Sequence, residues 1–384
     1  MNSKTILMMI AVIMIIVFIP VGAQAANNFE SNTLNLDTEW KPAIATIQDE
    51  LSRLSGTALD VFTLNITGGE VTDDDIDWMS RNLKSLVTLN ISGDASFTDN
   101  DLPVKMFCAV DSSYQITTIK NIYINPTNTE LHFGDSSFSN ITALESVDIP
   151  NAKTFGYGAF SSESNLTEVK LPEAIEFGSL AFYRANSLAS ISLPKADSFG
   201  DSAFQYSDKL VDVTLPNATT FGNKAFYSCG GLVTLTLENA ITFEDEAFSW
   251  TDKLKEIYLE EATTFGSYAF RSVSVLSNVH IPKLDQYGVD IFKSCRQKIN
   301  LHLDASPPSN TSSSAYYPAS WGSCIIIPPA SVSAYDPSST GRWNGWGINP
   351  PTITSTVPVD DNLSVTVTND LSITFRAPLK TSRI

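Results

Sequence analysis

The sequence predicts a solenoid, a right-handed superhelix of stacked repeats of about 22 residues with one short β-strand in each. Two observations support this prediction. Eight phenylalanines, from Phe138 to Phe292, recur at intervals of 22 residues, and a second aromatic column, from Phe133 to Tyr287, precedes them by five residues. Leucine, valine and isoleucine positions keep the same interval. Self-similarity at such a fixed period is typical of repeat proteins whose units stack along one axis.

Each unit reads LxxVxLPxAxxFGxxAF and ends in a short polar return. The xVxLP portion predicts the strand, because alternate residues of a strand point to opposite faces and a proline ends its pairing. The glycine permits a turn that a side chain would hinder. Ordering the backbone of one unit costs more free energy than its few large apolar side chains supply, so neighbouring units are expected to share their cores.

With its LP step and its GxxAF box, the unit resembles the BspA-like leucine-rich repeat of bacterial surface and secreted proteins. The regular copies span residues 134–305, with small departures. Glu244 replaces the glycine, Ser137 and Ile291 replace the alanine, and Lys298 stands at a leucine position. The resemblance implies a leucine-rich-repeat solenoid with a role in adhesion, to host matrix proteins or to other cells.

Residues 1–25 are predicted to be a secretory signal peptide. Lys4 precedes an apolar run over residues 6–19, and residues 23–25 offer small side chains for cleavage. The alternative is an uncleaved membrane anchor, because the run is long for a signal peptide. No later segment approaches the roughly 20 apolar residues of a membrane span. We therefore expect a secreted or cell-surface protein, and a monomer.

Residues 26–56 are predicted to form a helical N-terminal cap over the first repeat. Its helix would cover residues 38–54, where the apolar stripe consists of Trp40, Ile44, Ile47, Leu51 and Leu54. A cap of this kind is expected because the end of a solenoid exposes an unpaired core.

Irregular repeats are predicted over residues 57–133. Their strand pairs, at longer and unequal steps, are Leu64 with Ile66, Leu89 with Ile91, and Ile122 with Ile124. Between the first two pairs a short helix is expected, with Thr72 or Asp73 as its N-cap. The apolar face of that helix would consist of Ile76, Met79 and Leu83.

Residues 306–349 are predicted to be the C-terminal cap, with a last strand at Ile325 followed by a short helix that contains Tyr335 and then a tryptophan pair. About twelve strands are expected from the Leu64 strand to the Ile325 strand. The tail, residues 350–384, has two alternating segments around Asn369 and Asp370, which suggest a β-hairpin. Whether this hairpin is an edge or the start of another unit is left open.

Charge and motifs exclude several functions. The net charge of −18 disfavours nucleic-acid binding, which needs clustered lysine and arginine. None of the three histidines lies in a zinc-protease or nucleophile motif. The acidic run from Asp73 to Asp77 lacks the glycine and the distal glutamate of a calcium loop. We therefore expect no enzyme activity, no cofactor and no metal.

Two of the four cysteines, Cys229 and Cys295, occupy the same repeat position three units apart. At about 4.8 Å per repeat they are roughly 14 Å apart, whereas a disulfide needs Cα atoms within about 7 Å. Each is expected to pack as a small buried side chain. A bond between Cys295 and Cys324 across the last repeat is left open.

The strand residues that point away from the core form two adjacent columns, which we call the strand face. In one of the columns the early side chains are small and polar, and then Tyr258, His280 and His302 follow on successive repeats. Such a cluster is a candidate contact patch, or the rings simply stack to stabilise the ladder. The candidate ligand-binding residues are Lys170, Thr236, Glu256, Tyr258, Asn278, His280, Asn300 and His302.

Two functions are consistent with these features. The first is an adhesin-like binding protein that holds an extracellular protein or glycan on the strand face. The second is a structural or spacer module of the cell envelope without a ligand of its own. Substitution of Tyr258, His280 and His302 separates the two, because only a binding protein would lose affinity.

Overall fold

The protein is described here from a computed structural model, which describes residues 33–36, 61–97, 101–102, 116–127, 130–297, 299–302, 325–327, 342–343, 346–347, 357–360, 363–367 and 373–376. Two stacks of parallel strands run along the array, and every repeat of the regular part contributes one strand to each stack. The solenoid prediction is confirmed.

The first stack contains the predicted strands. Like positions of successive repeats lie opposite each other, so that Val213 pairs with Ile191 on one side and Leu235 on the other. The hydrogen-bonded ladder falls into three groups of six, three and four strands. The thirteen strands are Thr33–Leu36, Thr63–Ile66, Thr88–Gly93, Asn121–Pro126, Ser146–Asp148, Glu168–Lys170, Ser190–Ser192, Asp212–Thr214, Thr234–Thr236, Glu256–Tyr258, Asn278–His280, Asn300–His302 and Ile325–Ile327.

Twelve of these strands are the ones expected from Leu64 to Ile325, and one precedes them. Thr33–Leu36 lies in the segment predicted as the N-terminal cap and pairs in parallel with Thr63–Ile66. Its sequence TLNL is nearly the TLNI of the next two strands, a similarity that the repeat spacing alone does not reveal. The helix predicted over residues 38–54 lies outside the described residues.

The second stack corrects the prediction of one strand per repeat. After the proline turn, the residue before the first phenylalanine of the unit and that phenylalanine are extended and pair with their counterparts, as Phe177 does with Phe155 and Phe199. Nine strands form one sheet: Asp101–Leu102, Leu131–Phe133, Ala152–Phe155, Glu176–Phe177, Ser198–Phe199, Thr220–Phe221, Thr242–Phe243, Thr264–Phe265 and Gln286–Tyr287. Glu70–Val71 and Ser96–Phe97 form a separate pair.

The GxxAF box and the two residues after it form a third hydrogen-bonded column, which we call the turn face. Alternate N–H groups donate to the next repeat, as Phe160 does to the carbonyl oxygen of Ala181 at 2.8 Å. Two residues per repeat adopt left-handed backbone, for example Leu180 at φ 61° and Arg184 at φ 58°. The inter-repeat hydrogen bonds offset the steric cost of this conformation for residues other than glycine.

The core lies between these three columns. Rings of the second phenylalanine column are fully buried and stack face to face, with centroids 5.3 Å apart between Phe182 and Phe204 and 5.1 Å apart between Phe204 and Phe226. The first phenylalanine column packs against them at a tilt, as Phe199 does with Phe204 at 45°. Burial of these rings along the whole array supplies much of the free energy that orders the repeats.

Helix α1, Asp73–Asn82, is the predicted helix of the irregular repeats. Thr72 is its N-cap and forms a capping box with Asp75. The predicted apolar face, Ile76, Met79 and Leu83, is buried in the core. The described residues contain no helix with the length and apolar character that crossing a bilayer requires.

At the other end, Ile325–Ile327 pairs with Asn300–His302. Arg342–Trp343 and Trp346–Gly347 form a small antiparallel pair that joins the two tryptophans, and the predicted helix around Tyr335 lies outside the described residues. In the tail, three antiparallel strands form a sheet: Val357–Asp360, Leu363–Val367 and Ile373–Arg376.

Candidate functional site

The strand face is built by the first stack. Because the strands are parallel and in register, each outward side chain lies beside its counterpart in the next repeat. Around Ser192 and Thr214 the face is small and polar. It offers hydroxyl groups there but no large contact surface.

Three rings lie together near the C-terminal end of the face. Tyr258 pairs with His280, and His280 pairs with His302, on three consecutive strands. The ring centroids are 6.0 Å apart in the first pair and 5.6 Å apart in the second, with interplanar angles of 35° and 42°. Tyr258 is 57% exposed, so that most of its ring is open to solvent. We call these three residues the ring cluster.

Two carboxylates border the ring cluster. The Tyr258 hydroxyl donates to Glu256 Oε2 at 3.1 Å, and this hydrogen bond, followed by the charge of the carboxylate, raises the pKa of Tyr258. His280 Nε2 lies 3.2 Å from Oε1 of Glu260. Burial, and then the neighbouring His280, lower the pKa of His302. The cluster therefore combines hydrogen-bond donors and acceptors with an exposed aromatic surface.

Glu260 was not among the site residues predicted from the sequence. This residue stands one position after the strand leucine, where most repeats have a proline. The proline column was interpreted only as the end of the strand. Its replacement by Glu238 and Glu260 in two successive repeats was the available signal, because a side chain at that position lies next to the strand face.

The structure brings together only some of the other predicted residues. Asn278 and Asn300 pair on the strands that carry His280 and His302. Thr236 lies on the strand before Tyr258, but the hydrogen-bonded ladder is broken between those two strands. Lys170 lies four repeats before Tyr258, outside the cluster. Its Nζ is 2.6 Å from Oε1 of Glu168, a contact that raises the lysine pKa.

The described part of the chain contains neither a metal-ligand cluster nor an exposed thiol. The described residues contain no group of three or more histidine, cysteine or acidic residues that could hold a metal ion. Cys229 and Cys295 are buried, and each thiol donates to a phenylalanine carbonyl of the preceding repeat at 3.0 Å. Burial raises the pKa of Cys295 to about 11, which makes a poor nucleophile at neutral pH. Cys324 lies outside the described residues.

Comparison with known families fits this geometry. Residues 110–211 and 175–300 match the profile described as BspA type Leucine rich repeat region, in six copies. The chain belongs to the BspA-type leucine-rich-repeat family. A comparison of this BspA-type chain with curated proteins gives no match.

Three solved structures similar to this BspA-type chain are described as leucine-rich proteins. One from Bacteroides ovatus is 19% identical, with 65% of this chain and 74% of that chain covered and a TM-score of 0.42. A leucine rich cell surface protein from Faecalibacterium prausnitzii is 15% identical, with 65% and 84% covered and a TM-score of 0.31. The T. pallidum leucine-rich-repeat protein is 20% identical, with 46% and 75% covered and a TM-score of 0.35.

Proposed function

We propose that this BspA-type protein is an adhesin-like binding protein, secreted or displayed at the cell surface, that holds an extracellular protein or glycan at the ring cluster. One observation supports this most. Three rings occupy successive in-register strands, and Tyr258 is 57% exposed although it stacks on His280. The predicted signal peptide, residues 1–25, supports the extracellular location.

The chemistry of the cluster suits a partner with both apolar and polar groups. An exposed tyrosine offers a large surface with little conformational freedom to lose, and aromatic residues are frequent among those that dominate binding energy. Glu256 and Glu260 add acceptors at the rim, within 3.1 Å and 3.2 Å of Tyr258 and His280. A partner that presents hydrogen-bond donors next to an apolar patch would match this arrangement.

The second candidate, a spacer module, also has an observation in its favour. The rings contact one another, and Tyr258 and His280 each have a carboxylate partner within the same face. Contacts of this kind stabilise neighbouring strands without any ligand. In a spacer module, the ring cluster would contribute only to the stability of the strand ladder.

The test is binding of the secreted chain to an immobilised panel of extracellular matrix proteins and glycans. The variant carries Tyr258→Ala, His280→Ala and His302→Ala together. We expect saturable binding by the wild type and a loss of at least about tenfold in affinity in the variant, which corresponds to about 1.4 kcal/mol. Far-UV circular dichroism and thermal unfolding establish that the variant is folded.

The matched control changes three residues near the middle of the same face, Ser190→Ala, Ser192→Ala and Thr214→Ala. These side chains lie on the same strand stack but outside the ring cluster. Equal loss of binding in the control and the ring variant would place the site elsewhere. Absence of binding by the folded wild type across the panel would favour the spacer function.

A further inference from the structure

A second cluster of rings lies on the turn face. Tyr183, Tyr206 and Tyr227 come from three successive repeats and contact each other edge to face. The centroids are 5.8 Å apart in both pairs, and the ring planes meet at 76° and 86°. All three side chains are half-buried, so that their rings form a continuous aromatic ridge along the turns.

Arg184 sits on this ridge. Its guanidinium carbon lies 5.2 Å from the ring centroid of Tyr183 and 5.6 Å from that of Tyr206, within the range of a cation–π contact. Arg184 is exposed, and in the part of the chain that the structure describes no carboxylate lies within ion-pair distance of it. We call Tyr183, Arg184, Tyr206 and Tyr227 the tyrosine–arginine ridge.

Neighbouring lysines of the turn face differ from Arg184 in this respect. Lys224 lies 3.5 Å from Oε1 of Glu246, and Lys293 lies 2.8 Å from Oδ2 of Asp290. Both lysines also lie near a tyrosine ring, so that the contact with the ring does not by itself exclude a carboxylate. The chain has a net charge of −18 and therefore many carboxylates of its own. An exposed arginine that pairs with none of the described ones is available to a carboxylate of another molecule.

A guanidinium group held by two aromatic contacts retains its in-plane N–H donors. Those donors match the two oxygens of a carboxylate, and the arginine side chain needs little further ordering to bind one. Tyrosine and arginine are also the residue types that most often dominate the energy of protein contacts. The ridge therefore combines an anion site with an apolar surface.

We propose that the tyrosine–arginine ridge is a second binding site, distinct from the strand face, that takes an acidic peptide segment of a protein partner. Arg184 binds an aspartate or glutamate carboxylate of that segment, and the adjoining apolar side chains pack on the three tyrosines.

The ring geometry favours a peptide over an acidic glycan. Because the tyrosine planes are nearly perpendicular to one another, they offer alternating edges and faces and no common flat platform. Separate side chains of a peptide can fit such a surface one by one. A polyanion such as nucleic acid is disfavoured by the overall negative charge of the chain.

The test uses the full chain and an array of short peptides with apolar flanks, in which the central residue is aspartate, glutamate, asparagine or glutamine. We expect acidic peptides to bind at least about tenfold more tightly than their amide counterparts. In Arg184→Gln that preference should disappear. Arg184→Lys keeps the charge but loses the planar fork, and should therefore bind acidic peptides with intermediate affinity.

Lys293→Gln is the matched control, because Lys293 is a cation of the same turn face that already has a carboxylate partner, and the ring it contacts, Tyr268, lies outside the ridge. It should leave the preference for acidic peptides unchanged. Thermal unfolding confirms that each variant is folded, and a parallel array of acidic glycans provides the other class of ligand. The proposal is overturned by an acidic preference that survives in Arg184→Gln, by binding to glycans alone, or by the absence of any acid-preferring peptide.

Discussion

The buried interior and the strand face have the same 22-residue repeat, but they differ in how much the residue type varies from one repeat to the next. The second phenylalanine column keeps the same residue in eight repeats, because every ring must fit between the rings above and below it. The outward column that ends in Tyr258, His280 and His302 begins with small or charged side chains. A residue type that repeats in every unit therefore indicates a packing requirement. A change of residue type in an outward column indicates where the surface has a different chemical character.

One buried column departs from this contrast. The residue type three positions after the second phenylalanine varies between repeats although the side chain is buried. Ser207 shows what a polar residue does at this position. Its hydroxyl accepts from the Ala185 N–H at 3.2 Å and donates to the Phe182 carbonyl at 2.9 Å, so that it bridges two repeats. We call this the bridging column, and its members are Ile141, Glu163, Ala185, Ser207, Cys229, Thr251, Val273 and Cys295.

The largest effect is expected from an interior ring. Phe204→Ala removes a fully buried side chain that stacks on rings in both neighbouring repeats. Because the array cannot collapse around the cavity without disturbing those rings, the free energy of unfolding should fall by about 3 to 5 kcal/mol. A urea titration followed by circular dichroism measures the loss.

Phe62→Ala is the control for this change, since Phe62 is 43% exposed. It removes the same group from a surface position, where the cost should be much smaller. If the two variants were equally stable, the stacked rings would not be the source of the regularity.

The next effect depends on pH. Glu163 belongs to the bridging column, where its Oε1 accepts from the Ile141 N–H at 2.9 Å and its buried Oε2 has no hydrogen-bond partner among the described residues. Burial raises the pKa of this carboxyl to about 8. The folded state therefore keeps a proton that the unfolded state releases above its ordinary pKa of 4.5. The unfolded state binds fewer protons in this interval, so that stability falls as the pH rises from 4.5 to about 8.

Glu163→Gln should remove this dependence. At 1.36 kcal/mol per pKa unit, the wild type is expected to lose as much as about 4 kcal/mol between about pH 5 and about pH 9 that the variant retains. Urea titrations of both proteins at the two pH values give the difference. Glu168→Gln, at an exposed site, should follow the wild type. Parallel pH profiles for wild type and Glu163→Gln would mean that the carboxyl is already ionised inside the folded array.

A smaller effect is expected at Cys229, also in the bridging column. Its thiol donates to the Phe204 carbonyl at 3.0 Å, in the same way as Ser207 donates to Phe182. Cys229→Ser should therefore keep the bridge at little cost. Cys229→Ala removes this hydrogen bond and leaves a small cavity, although the Phe204 carbonyl still accepts from the Ser207 N–H at 3.2 Å. The free energy of unfolding should therefore fall by about 1 to 2 kcal/mol. Similar stabilities of the serine and alanine variants, measured by urea titration, would show that the bridge contributes nothing.

The fold was largely predictable because its period fixes the register. Counting from Leu64 to Ile325 gave the strands of the first stack, and the buried face of helix α1 followed from its apolar spacing. The second stack was not predicted, since a strand of two residues is too short to show alternation. The Thr33–Leu36 strand was missed because residues 26–56 were assigned to a helical cap, although its step of 30 residues to Thr63 lies within the range of the irregular repeats.

The candidate sites were predictable only where their residues keep the repeat spacing. Tyr258 and His280 are 22 residues apart, so that their contact followed from the sequence. The tyrosine–arginine ridge was not predicted, because Tyr206 lies 23 residues after Tyr183 and 21 residues before Tyr227, and neither step equals the 22-residue repeat. Rings at unlike repeat positions meet only because the left-handed turns bring them together, and this geometry cannot be read from the period.

The smallest effect should come from the ring cluster itself. Tyr258→Ala removes one stack on His280 and the hydrogen bond to Glu256, but both are on the exposed side of the strand. Contacts between neighbouring strands contribute about 0.2 to 1 kcal/mol each, so that the free energy of unfolding should fall by less than about 1 kcal/mol. The measurement is a urea titration beside Cys229→Ala. A loss larger than that of Cys229→Ala would mean that the rings stabilise the array, which is what a spacer requires. A loss within the expected limit leaves binding as the reason for an aromatic residue in a column whose earlier members are small or charged.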